Sequence, residues 1–180
     1  TEKIEETGQT IMVSEGPSEF LDILTEMINE EETALEFPFL LTGTHDIHGI
    51  TISEFTQLNL QQQQLQNRVV KINPELLGNT VSKANTLKRN VYIIGHTHPN
   101  VPDKEKSETL TNQLPEDIKE KYGIKEVGLN LSIQDLYQLI SFKEAIKGRI
   151  TEDAKIYLSV LMYDGTLEAI SVEEGKFKRS

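Results

Sequence analysis

Four consecutive apolar residues, Val91-Tyr92-Ile93-Ile94, run directly into Gly95-His96-Thr97-His98-Pro99. Successive side chains of a strand point to opposite faces, so a strand without polar alternation needs apolar cover on both sides. Helices have to supply that cover. The chain therefore reads as α/β, with a mixed central β-sheet flanked by helices.

The neighbouring segments provide the layers. Beyond Gly16-Pro17, Ser18 can cap a helix in which Phe20, Ile23, Leu24, Met27 and Ile28 recur at three- and four-residue spacing. Asn73-Pro74 is a good N-cap and first-turn pair for a second helix to about Lys88, with Leu77, Val81, Ala84 and Leu87 near one face and Asn90 as its stop. Ser132 opens a third, Ile133 to about Lys147, closed by Gly148. Strands are predicted at Thr10–Val13, Leu35–Leu41, Ile50–Leu60 and Val69–Ile72. Two more, Ala154–Tyr163 and Thr166–Val172, are joined by the hairpin dipeptide Asp164-Gly165. Residues 1–10 read as polar and loose, and Thr44–Gly49 as a polar turn.

A chain of 180 residues fits one domain spanning 1–180. Its apolar fraction of 37% is somewhat lean, which agrees with a polar insert at about residues 100–128, read as a lid or as a decorative loop. With 29 acids against 18 bases, the net charge of −11 repels phosphate backbones and anionic lipid, so neither nucleic acid nor a membrane is an expected partner. No apolar run approaches the ~20 residues of a membrane span, and the charged start lacks the pattern of a signal peptide. A cytoplasmic location is the expectation. The composition does not bear on oligomeric state.

There is no cysteine, so any metal must be held by histidine and carboxylate. His96 and His98 stand two apart at a strand end, where both imidazoles can turn to one ion, and Pro99 stops the strand behind them. Catalytic zinc takes three protein ligands and leaves the fourth position to water. Asp135, three residues after Ser132 in the first turn of the third helix, is the candidate third ligand. Glu36, in an apolar strand, is the candidate base, with Glu30, Glu31 and Glu32 as alternatives nearby. Taken alone, Ser132 and Asp135 also fit a simple helix cap. His45-Asp46-Ile47-His48 reads as a solvated turn rather than a second metal site.

His96-Thr97-His98-Pro99, the later Ser132-Ile133-Gln134-Asp135 and the upstream Glu36-Phe37-Pro38-Phe39-Leu40-Leu41-Thr42-Gly43 together resemble the signature of the JAMM (JAB/MPN-type) zinc metalloproteases: a glutamate, then H-S/T-H-P, then S-x-x-D. The order of elements is similar too, and the likeness extends from about Ser18 to Val172. The resemblance implies a bacterial-type member with an MPN/JAB-like, cytidine-deaminase-like architecture. It implies Zn2+ held by His96, His98 and Asp135, Glu36 as general acid and base, and Ser132 beside the oxyanion. The implied substrate is an amide or isopeptide bond at the tail of a ubiquitin-like or small carrier protein, or of a peptide. The chain departs from the family in the stretch between His98 and Ser132, which is several times longer than usual, and in Pro38-Phe39, where a small residue is common. A non-catalytic MPN-like scaffold that recruits partners is the alternative. A DNA-repair-associated domain of the same superfamily is disfavoured by the charge.

Overall fold

The computed structural model describes residues 2–6, 9–30, 37–58, 74–97, 142–171 and 175–179. In chain order these form β1 (Glu2–Glu6), β2 (Gln9–Val13), α1 (Glu15–Glu30), β3 (Pro38–Asp46), β4 (Gly49–Gln57), α2 (Pro74–Thr86), β5 (Val91–Thr97), β6 (Lys155–Leu161), β7 (Leu167–Ser171) and β8 (Gly175–Arg179). Residues 142–146 are also helical. The strands make one sheet in the order β1-β2-β4-β3-β5-β6-β7-β8. β2 runs parallel to β4 and β5 parallel to β6, while the other pairs are antiparallel. The chain is thus α/β with a mixed sheet. Among the described residues no helix is long and apolar enough to cross a membrane.

Every residue of β5 is buried, because each face of the sheet carries its own core. Val91 and Ile93 point to the face covered by α1 through Leu21 and Leu24. Tyr92 and Ile94 point to the other, covered by Val81 and Ala84 of α2 and by Phe142 and Ile146. Each fully buried aliphatic side chain contributes roughly 1.5–3 kcal/mol relative to leaving it in water. That two-sided burial is what the unbroken apolar run specifies.

Several boundaries differ from the sequence expectation. α1 starts before Ser18: the Ser18 N–H donates to Ser14 O at 3.1 Å, which makes Ser14 the residue that opens the helix. Gly16-Pro17 then lies within the first turn, where proline has no intrahelical bond to lose. Residues 2–6 are a strand rather than loose chain, paired to β2 from Glu2↔Val13 to Glu6↔Gln9. β3 continues through Gly43 to Asp46, so the β3–β4 turn shrinks to Ile47-His48, with the His48 N–H donating to Asp46 Oδ1 at 2.7 Å. The hairpin at Asp164-Gly165 forms as expected. Its Gly165 N–H donates to Met162 O at 3.0 Å, and the glycine takes the left-handed φ of 87°. The strand expected at Val69–Ile72, the insert at 100–128 and the start of the third helix lie outside the described residues.

α2 ends at Thr86, short of Lys88, in a double hydrogen bond: the Arg89 N–H reaches Ala84 O at 2.9 Å and the Lys88 N–H reaches Asn85 O at 3.0 Å. This is the Schellman arrangement, and it forces Lys88 to a φ of 61° where glycine is the usual occupant. A left-handed conformation costs a non-glycine residue about 1–2 kcal/mol, against about 0.5–1 kcal/mol of chain entropy that glycine brings to the unfolded state. Lys88→Gly is therefore expected to stabilise the protein by about 0.5 kcal/mol, read as a higher denaturation midpoint at unchanged slope.

Candidate metal centre

β5 sits between β3 and β6, and the register sets His96 opposite Pro38 on one side and Val160 on the other. Strand alternation gives His96 the face of Tyr92 and Ile94, where Leu158, Val160, Phe142 and Ile146 are packed. The imidazole is only 1% exposed, and its Nε2 is buried. A buried imidazole at a strand end, backed by a close-packed sheet, has little room to turn.

The residue before it has a packing role. A Cβ at Gly95 would lie 2.2 Å from Ser159 Oγ and 2.5 Å from Phe39 Cζ. Only a glycine lets the Phe39 ring cross β5 here, on the face opposite His96. The residue after it is a clamp: Thr97 Oγ1 accepts the Phe37 N–H at 2.8 Å, and the Thr97 N–H donates to Phe37 O at 3.1 Å. Both polar groups of Phe37 are thereby tied to one buried threonine. In the sequence Thr97 reads only as the middle position of the H-S/T-H-P pattern, with no role of its own. Its signal was the hydroxyl on a β-branched residue at the closing end of a buried strand.

The opposite end of β5 is fixed by Asn90 and Arg89. The Asn90 N–H donates to Gly43 O at 3.0 Å and its carbonyl accepts the Lys155 N–H at 2.8 Å. Its side chain accepts the His45 N–H at 2.9 Å and donates to Asp153 Oδ2 at 3.1 Å. This single asparagine ties the β3–β4 hairpin to the start of β6. Hydrogen bonds from Thr151 and Asn90 hold the exposed Asp153 carboxyl below its ordinary range. His45 Nε2 lies 2.6 Å from Asp153 O. Arg89 pairs with Glu54 and donates to Thr42 Oγ1 at 3.2 Å. Burial pushes the Tyr92 hydroxyl above its usual value, and the Arg89 charge opposes part of that shift. The hydroxyl stays a donor and reaches Arg89 O at 3.2 Å.

Of the residues expected to form the site, His96 is described, whereas Glu36, His98, Ser132 and Asp135 lie outside the described residues. Among the described residues no group of three or more histidine, aspartate and glutamate side chains is placed to hold a metal ion. No family model matches the chain, and no curated protein matches it.

Proposed function

We propose that this chain is a JAMM-type zinc metallopeptidase that hydrolyses an amide or isopeptide bond at the tail of a ubiquitin-like or small carrier protein. The observation that carries the reading is the Phe37–Thr97 clamp. Glu36 is covalently joined to Phe37, and His98 to Thr97, and consecutive Cα atoms lie about 3.8 Å apart. The hydrogen-bonded pair thus joins the two sequence segments in which the glutamate and the histidines of the signature occur.

A second support is that the stretch in which the sequence sets Ser132 and Asp135 ends, at Phe142 and Ile146, against the sheet face to which His96 belongs.

The donor set fits zinc: two imidazoles and a carboxylate, in a chain that has no thiolate to offer. His96, His98 and Asp135 would hold the ion. When bound, zinc polarises the scissile carbonyl and lowers the pKa of water to about 7. Glu36 takes a proton from the attacking water and returns it to the leaving amine. Ser132 Oγ donates a hydrogen bond where negative charge develops on the carbonyl oxygen.

Metal analysis of protein purified without chelator tests this directly. One zinc per chain is expected, falling to a small fraction in His98→Ala and in His96→Ala. Folded wild-type protein without stoichiometric zinc would end the hydrolase reading and leave the partner-recruiting scaffold.

A further inference from the structure

The two flanks of α1 are used unequally. On one, Asn29 Nδ2 donates to Tyr163 O at 2.8 Å, and Thr25 Cγ2 lies 3.9 Å from where a Cβ on Gly165 would be, so the β6–β7 turn covers that side. On the other are Phe20, Ile23 and Met27, spaced three and four apart; Phe20 and Ile23 are each 50% exposed. This apolar flank overhangs β4, because the Phe20 ring stacks on Phe55 at 5.2 Å between centroids. Phe55 in turn stacks on the buried Phe39 at 5.6 Å. The floor of the patch is therefore continuous with the core.

Among the described residues, the strand beneath it is paired along only part of its outer side. β2 pairs with β4 only at Ile50–Ile52; then the Ser14 N–H bonds Ile52 O at 3.0 Å and the chain leaves the sheet into α1. Among the described residues no strand pairs with the outer edge of residues 53–56. The Leu58 N–H donates to Pro38 O at 3.0 Å, which sets the alternation along the β3–β4 ladder. Thr56 and Glu54 direct their backbone groups to β3, and Phe55 directs its N–H and C=O to the open edge. A strand edge beside exposed aromatic surface is a template for an extended peptide.

Charge selects the occupant. α1 carries Glu15, Glu19, Asp22, Glu26 and Glu30 and no lysine or arginine. Ile23 lies between Glu19, four residues before it, and Glu26, three after, both exposed on the same side of the helix. We infer that the groove between α1 and the outer edge of β4 binds an extended segment of a partner protein in which apolar and basic residues alternate. Its backbone pairs with Phe55, its apolar side chains rest on Phe20 and Ile23, and its basic side chains meet Glu19 and Glu26. This inference is independent of the hydrolase reading.

The probe is a fluorescein-labelled dodecapeptide of alternating lysine and valine, titrated with the full chain by fluorescence anisotropy. Saturable binding is expected, weakened about tenfold or more by Ile23→Lys and by Phe20→Ser, as loss of an interface anchor predicts. Ile47→Lys, at a position 95% exposed on the distant β3–β4 turn, is expected to leave binding unchanged. N-methylation of alternate peptide residues should abolish binding, because it blocks strand pairing. The inference is overturned if the wild-type chain does not bind, if an alternating glutamate and valine peptide binds equally, or if Ile23→Lys binds like the wild type. Circular dichroism of Ile23→Lys, whose side chain is half in water already, separates lost binding from lost fold.

Discussion

Glu36→Gln is expected to cut the turnover of a fluorogenic ubiquitin-like tail by a factor of about 10²–10⁴ while leaving one zinc bound per chain. Glutamine keeps the size and hydrogen-bonding reach of glutamate but cannot accept and return a proton. In the proposed mechanism the interaction it removes belongs to the transition state, so kcat should fall with little change in KM. Metal content supplies the control, since Glu36 is not among the three proposed ligands. The same exchange at Glu30, Glu31 and Glu32 should each leave turnover within a few-fold of wild type. If Glu36→Gln retained wild-type turnover and one of those three did not, the base would be reassigned. Full activity in all four variants would leave the proposed acid–base chemistry without a carboxylate from this segment.

The fold was legible where burial is written into consecutive residues. Val91-Tyr92-Ile93-Ile94 announced a strand covered on both faces, and Val91 with Ile93 and Tyr92 with Ile94 do divide between the two cores. Asp164-Gly165 announced its hairpin because only a residue tolerant of positive φ closes that turn. β1 and β8 were not legible. Glu2-Lys3-Ile4-Glu5-Glu6 offers one apolar residue in five, and its strand form is set by the ladder to β2 rather than by its own pattern. Gly175–Arg179 likewise gains its form from β7. At the start of α1, Ser18 looked like a cap because it follows Gly16-Pro17; but proline costs nothing in a first turn, so Ser14 could serve instead.

Of the candidate site, the sequence offers a donor set: with no cysteine, imidazole and carboxylate are the side chains any metal would find. Among the described residues, His96 is the one member of the expected ligand set. How His96 is held could not be read that way. It depends on Thr97 reaching Phe37 across sixty residues of sequence and on Phe39 crossing Gly95, contacts between strands that no local pattern records.

Gly43→Ala is the substitution expected to cost the fold most. β3 and β4 change register between Thr42 and Gly43, and at that bulge a Cβ on Gly43 would stand 1.9 Å from Thr51 O, 2.8 Å from Thr51 C and 2.9 Å from Ile52 Cα. All three are backbone atoms, so no side-chain rotation relieves the clash. The strand cannot simply retreat: the Gly43 carbonyl accepts the Asn90 N–H on one side, and Ile52 O accepts the Ser14 N–H on the other. Pushing β4 away would disturb both, together with the Ile50 and Ile52 side chains in the core under α1. A loss of about 3 kcal/mol or more is expected, at the upper end of overpacking costs. For a chain of this length that is a fall in Tm of roughly 10 °C. Gly16→Ala is the matched comparison, because a Cβ there meets nothing within 4 Å and alanine suits a helical position. Its Tm should stay level or rise slightly. If Gly43→Ala melted within about 2 °C of wild type, the two strands could not be as close at the bulge as this register requires.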